Sequence, residues 1–126
     1  MVLDTSFLIG LQREFHRKRP GRAMAFLRSH SEMVFKISVI SVTEFLEGFC
    51  QVDDGEIFLG PYRRVDVDSR VAKVAAGLRR RLRIEGRPIG DFDILIAATA
   101  LVEDLPLVTE NQDHFSRIPE LSLISY

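Results

Sequence analysis

Two periods of apolar spacing alternate along this chain: short β-like runs, each followed by a longer stretch in helical register. The most continuous apolar run, Ile94-Leu95-Ile96-Ala97-Ala98-Thr99-Ala100-Leu101-Val102, comes directly after Gly90-Asp91-Phe92-Asp93. A helix of that composition has no face suited to water, so it is predicted to be a central, buried element. Its opening carboxylates fall at the positive end of the helix dipole, with Asp91 predicted as N-cap. Asp93 then has no evident structural job. A carboxylate beside a buried helix needs a partner, because stripping it of water alone is too costly for a folded state to carry.

The remaining elements follow in order. Met1 to Asp4 reads as a buried strand and Thr5 to Ile9 as the start of a helix with Asp4, Thr5 or Ser6 as its cap. Past Pro20-Gly21, Ala23, Phe26 and Leu27 give a short helix a narrow apolar stripe. Met33 to Ser38 is a second strand. Val42, Phe45, Leu46, Phe49 and Cys50 then recur on one helical face, with Glu44 on the far side of that stripe. Ser41 and Glu44 have capping-box spacing. Residues 53–61 predict a loop with one helical turn, and Arg64 to Val67 a short strand. A longer helix starts at Asp68 with Val71, Val74, Ala75, Leu78 and Leu82 inward, and Gly86 to Gly90 form a turn. Leu105 to Thr109 is a strand, Asn111 to Phe115 a helical turn and Leu121 to Ser125 a last strand. Strands alternating with helices predict an α/β fold: a three-layer α/β/α sandwich around a central, mostly parallel sheet.

Composition narrows the class. The 126 residues, 46% of them hydrophobic, suit a single domain spanning 1–126 with a true core. One cysteine, Cys50, excludes an internal disulfide framework and a cysteine zinc cluster, which fits the reducing cytoplasm. His16, His30 and His114 show no metal-ligand spacing. No basic region precedes the first apolar residues, so a signal peptide is not expected, and no apolar run approaches the ~20 residues that cross a bilayer. The net charge of −1 conceals two basic segments, Arg13 to Arg22 and Arg79 to Arg87. Arg79, Arg80, Arg81 and Arg83 crowd one helix end beyond what its dipole needs; they either cover the helix surface with their long side chains or form part of a phosphate-binding rim.

Asp4, Glu44, Asp93 and Asp113 all fall near predicted strand-to-helix junctions, which share one edge of a parallel sheet. Each has an ordinary role available as a cap or a solvated turn residue, and Thr5, Ser6 and Thr109 suit local backbone bonds. Their coincidence at one edge points further. Carboxylates gathered there repel unless a cation joins them, and an all-oxygen donor set suits Mg²⁺ or Mn²⁺. Such a cluster can orient a water, raise its acidity and stabilise charge on a phosphodiester under in-line attack. The chain has no Gly-rich phosphate loop, which argues against an unrelated phosphotransfer domain.

Four segments, Val2-Leu3-Asp4-Thr5-Ser6, Ile40-Ser41-Val42-Thr43-Glu44-Phe45-Leu46-Glu47-Gly48, the stretch from Pro88 to Ala100 around Gly90-Asp91-Phe92-Asp93, and Leu107-Val108-Thr109-Glu110-Asn111-Gln112-Asp113-His114-Phe115, resemble in order and spacing the PIN-domain ribonucleases, in particular VapC-type toxins. The resemblance implies a PIN-like fold and a metal-dependent endoribonuclease in which Asp4, Glu44 and Asp93 bind Mg²⁺ or Mn²⁺. It places Asn111 at the family's fourth acidic position, with Asp113 two residues on, and makes Ser6 and Thr109 supporting polar residues; Asp91 matches a position with no required acid. It further implies an RNA substrate, a cognate antitoxin, a homodimer and no membrane. A PIN-like module that binds RNA or protein without cutting is the alternative.

Overall fold

Five strands and seven helices alternate along residues 1–126 of the computed structural model. In chain order they are β1 (Val2–Leu3), α1 (Thr5–His16), α2 (Arg22–Ser29), β2 (Lys36–Ser38), α3 (Val39–Glu47) and α4 (Val52–Leu59). Then come β3 (Arg63–Val65), α5 (Ser69–Ile84), α6 (Asp91–Glu103), β4 (Leu107–Val108), α7 (Gln112–Phe115) and β5 (Leu123–Ile124). All strand pairs are parallel, in the order β3-β2-β1-β4-β5. From β1 the chain builds outward through β2 and β3 on one side, then returns to place β4 on the other. The β1/β4 boundary is therefore the topological switch point, where open α/β sheets leave a crevice beyond their carboxyl ends.

Alternation along the short strands divides the core between two layers. Val2 and Leu107 face α5, α6 and the α7 region, joining Leu78, Leu82, Ile96, Phe115 and Ile118. Leu3, Ile37 and Val108 face the other way, onto Phe7, Leu8 and Leu11 of α1, Phe26 of α2 and Phe45 of α3. The sandwich is thus three-layered, as the sequence predicts, and its sheet is parallel throughout. Helix α6 is the buried element expected: Ile96, Ala97, Ala98, Thr99 and Ala100 have no solvent exposure, and water reaches chiefly its two ends.

Several boundaries differ from the sequence reading. The N-cap of α6 is Gly90, and Asp91 is the first helical residue, turned outward to Arg79 at 2.8 Å. The cap of α3 is Ser38, whose hydroxyl accepts from the Ile40 amide at 3.1 Å, so Ser41 and Glu44 form no capping box. Helix α3 closes at Gly48, its C-cap, so Cys50 lies beyond it in solvent. Strand β2 begins at Lys36, leaving Met33 and Val34 exposed. Helix α4 has two turns where one was expected. Gly55 is its contact point: a Cβ there would stand 2.6 Å from Leu46 Cδ2, so the missing side chain lets α4 settle on α3.

A side chain from α1 caps α2. The Glu14 carboxylate accepts from the amides of Gly21, Ala23 and Met24, each at 2.9 Å, where the helix dipole is positive. Partial burial works against the charge, but these amides prevail and hold the carboxyl below its ordinary value. A depressed carboxyl pKa adds stability above the unfolded value and loses it as pH falls through the folded one. Glu14→Gln is expected to cost about 1 kcal/mol at pH 7, kept small by solvent screening. Urea titrations should show the difference narrowing as pH falls below 4.5.

Candidate metal centre

Asp4 leaves β1 one residue past Leu3, in register with Thr109 past Val108, because Leu3 pairs with Val108. Sheet geometry alone therefore brings together two residues 105 positions apart. Asp4 occupies the N-cap position of α1, yet its side chain makes no capping hydrogen bond. Instead its Oδ2 accepts from Thr109 Oγ1 and Ser6 Oγ, both at 2.7 Å. Each hydroxyl in turn accepts a backbone amide, Asn111 N–H on Thr109 at 2.9 Å and Glu110 N–H on Ser6 at 3.1 Å. The amides commit the hydroxyl lone pairs, so both O–H groups turn toward Asp4. Its other oxygen takes no side-chain donor.

Glu44 projects from the middle of α3, half-buried, and Thr5 Oγ1 donates to its Oε1 at 2.7 Å. Asp93, in the first turn of α6, meets His114 Nδ1 at 3.2 Å. Burial raises the Asp4 carboxyl above its ordinary value; the Thr109 and Ser6 hydroxyls oppose the rise and the charge of Asp93 adds to it. Glu44 is raised as well, chiefly by burial, with Thr5 opposing and the charges of Asp4 and Asp93 adding. The three acids thus share one electrostatic neighbourhood at the switch point. No Lys or Arg pairs with any of them.

The donor chemistry fits a divalent cation: like charges are gathered under partial burial, and a hard oxygen set suits Mg²⁺ or Mn²⁺. As they stand, no three acidic, imidazole or thiol groups close around one point as a finished cage. One turn before Glu44, Ser41 is fully buried with its hydroxyl unpartnered, a further polar atom in search of a contact.

Other predicted residues are placed differently. Asn111 reaches the site through His114, its Nδ2 lying 2.8 Å from the imidazole Nδ1. Asp113 is exposed, and its carboxylate bonds nothing at the site. Asp91 is held by Arg79, away from the acids. Arg81 pairs with Glu120 and Glu85, whereas Arg80 and Arg83 are exposed and make no ion pair. Of Thr5, Ser6 and Thr109, read from sequence as bonding local backbone, Thr109 does so through the Asn111 amide, and all three hydroxyls also donate to carboxylates. Sequence reasoning missed His114. Its only signal was its place one residue before a core aromatic, Phe115.

A parallel three-layer sheet whose switch-point crevice holds unpaired carboxylates from β1, α3 and α6 is the arrangement of a PIN domain, and the chain belongs to that family, whose model matches residues 1–121. Among its relatives, Ribonuclease VapC of Rickettsia bellii is 30% identical over 99% of this chain and 95% of its own. Ribonuclease VapC1 of Methanocaldococcus jannaschii is 32% identical over 71% of this chain and 68% of its own. The fold superposes with a TM-score of 0.84 on a crystal structure of VapBC2 from Rickettsia felis bound to a DNA fragment from their promoter, at 27% identity over 99% of this chain and 97% of that one.

Proposed function

We propose that this protein is a metal-dependent endoribonuclease of the VapC type, the toxin of a toxin–antitoxin pair. The observation that carries the reading is that Asp4, Glu44 and Asp93 act on one another's charge at the switch point with no Lys or Arg paired to any of them. These three residues would hold Mg²⁺ or Mn²⁺. Such an ion supplies a more acidic water and offsets charge on the phosphate undergoing attack. The chain's own contribution is positional. Ser6 and Thr109 fix Asp4 through one oxygen and leave the other for the ion, and Thr5 does the same for Glu44. Cleavage of RNA by the purified protein should stop when divalent ions are chelated and return when they are restored. Cleavage that survives complete metal removal refutes the reading.

RNA must approach an acidic centre, so cationic side chains have to offset its phosphates. Arg80 and Arg83, with Arg79, border a groove of about 420 Å³ that reaches Asp91 and Ile94 in the turn holding Asp93. Reversing Arg80 and Arg83 to Glu together is expected to weaken RNA binding roughly tenfold at low salt and to reduce its salt slope by about 1–2. Filter binding across a salt series measures both.

An antitoxin has an apolar surface to engage. The largest depression, about 630 Å³, lies between α1, α2 and α4, lined by Leu11, Phe15, Leu27, Met33, Phe35 and Phe58. Phe15 is 56% exposed and Val34, on its rim, 63%. Such large exposed side chains side by side are characteristic of a surface covered by a partner. The same reading includes a homodimer, which sedimentation reads directly, and a cytoplasmic site of action. No helix is long and apolar enough to cross a membrane.

A further inference from the structure

The segment after β4 delivers an imidazole to the carboxylates rather than a further acid. Asp113 faces solvent, while His114 Nδ1 lies 3.2 Å from Asp93 Oδ2. Phe115 and Ile118 are buried against the α5/α6 layer and pin the turn, while the half-exposed His114 beside them meets Asp93. Two adjacent ligands about 2.1 Å from an octahedral cation stand about 3.0 Å apart. The observed spacing of imidazole nitrogen and carboxylate oxygen is close to such an octahedral edge. Asn111 stands at a second edge, 2.8 Å from the same nitrogen, and a half-turn of its amide presents an oxygen there.

We propose that His114 is a nitrogen ligand of the cation held by Asp4, Glu44 and Asp93, and that it biases the site toward Mn²⁺ over Mg²⁺. The proposal rests on the metal-dependent reading above. Its chemistry is simple. Mg²⁺ takes oxygen donors and sheds water reluctantly, whereas imidazole suits transition metals, and of the two ions under comparison only Mn²⁺ is one. A neutral ring in place of a further carboxylate also leaves less negative charge to bind a second ion.

Pulsed electron paramagnetic resonance on protein carrying one equivalent of Mn²⁺ tests this without any activity measurement. His16 ends α1, and His30 bonds the Phe26 carbonyl on α2, so neither competes for the assignment. Wild-type protein is expected to show ¹⁴N modulation from a directly bound imidazole, and His114→Gln to bind Mn²⁺ without it. Calorimetry of His114→Asp should show the Mn²⁺/Mg²⁺ affinity ratio falling about tenfold. Bound Mn²⁺ with no nitrogen modulation in the wild type overturns the ligand assignment and leaves the carboxylate site standing. An unchanged affinity ratio in His114→Asp overturns the proposed bias. Failure of the wild type to bind either ion overturns this proposal and the metal-dependent reading together.

Discussion

Asp4→Asn is expected to lower RNA cleavage by about 10³-fold or more while making the metal-free protein more resistant to heat. The loss is of the size seen when one preorganised charge-stabilising group is removed from a phosphate or acyl transfer site. The gain follows from the direction of the pKa shift. A carboxyl raised above its ordinary value is one whose ionised form the folded state disfavours, so at neutral pH ionised Asp4 works against folding. Asparagine has the same shape, keeps an oxygen for the Ser6 and Thr109 hydroxyls, and turns its amide protons toward Glu44 and Asp93. The charge penalty goes and the hydrogen bonds remain. Thermal unfolding in chelator should therefore rank Asp4→Asn above the wild type. Saturating Mn²⁺ should reverse the order, because ligand binding raises only the protein that retains the site. A lower melting temperature for the variant in chelator would show that the Asp4 charge is structural.

The largest loss of stability is expected at Phe7. This ring has no solvent exposure and meets Tyr126 at 4.6 Å and Phe26 at 5.7 Å between centroids, both edge to face. It sits beneath Leu3 and Val108, the residues whose pairing sets Asp4 against Thr109. Phe7→Ala should cost about 3–5 kcal/mol, from lost transfer energy and from a cavity that a packed sheet cannot close. Against a total stability of about 5–15 kcal/mol that is a large share, and the urea midpoint should fall accordingly. The unfolding slope should be unchanged, since the surface exposed on unfolding is nearly the same.

Much of the frame was legible because it depends on local pattern. The run from Ile94 to Val102 could only be a buried helix, and the acids at strand ends could only share an edge if the sheet was parallel. Tertiary contacts decided the rest. The capping-box spacing of Ser41 and Glu44 pointed to the wrong serine: β2 passes directly into α3, so Ser38 at the strand's end is the cap. Helix α4 carries Gly55 and two aspartates, a poor intrinsic former, and it holds two turns because the glycine lets it lie against Leu46 and Phe49. Asp91 looked like a cap until Arg79, twelve residues earlier, was found to claim it. His114 was passed over for a related reason. Ligand spacing along a chain detects donors on one element, whereas His114 meets Asp93 across a separation of 21 residues.

The bond from Thr109 to Asp4 also ties the order of the site to a pairing distant along the chain. A chain delivered only through α6 already carries Asp4, Glu44 and Asp93, but β1 still lacks the strand that flanks it on the β4 side, and of the two hydroxyls that hold Asp4 only that of Ser6 is in place. Pairings so distant along the chain form late in folding. Asp4 therefore takes its final orientation only once β4 has docked, so the arrangement proposed to hold the ion is completed by one of the later pairings of the fold.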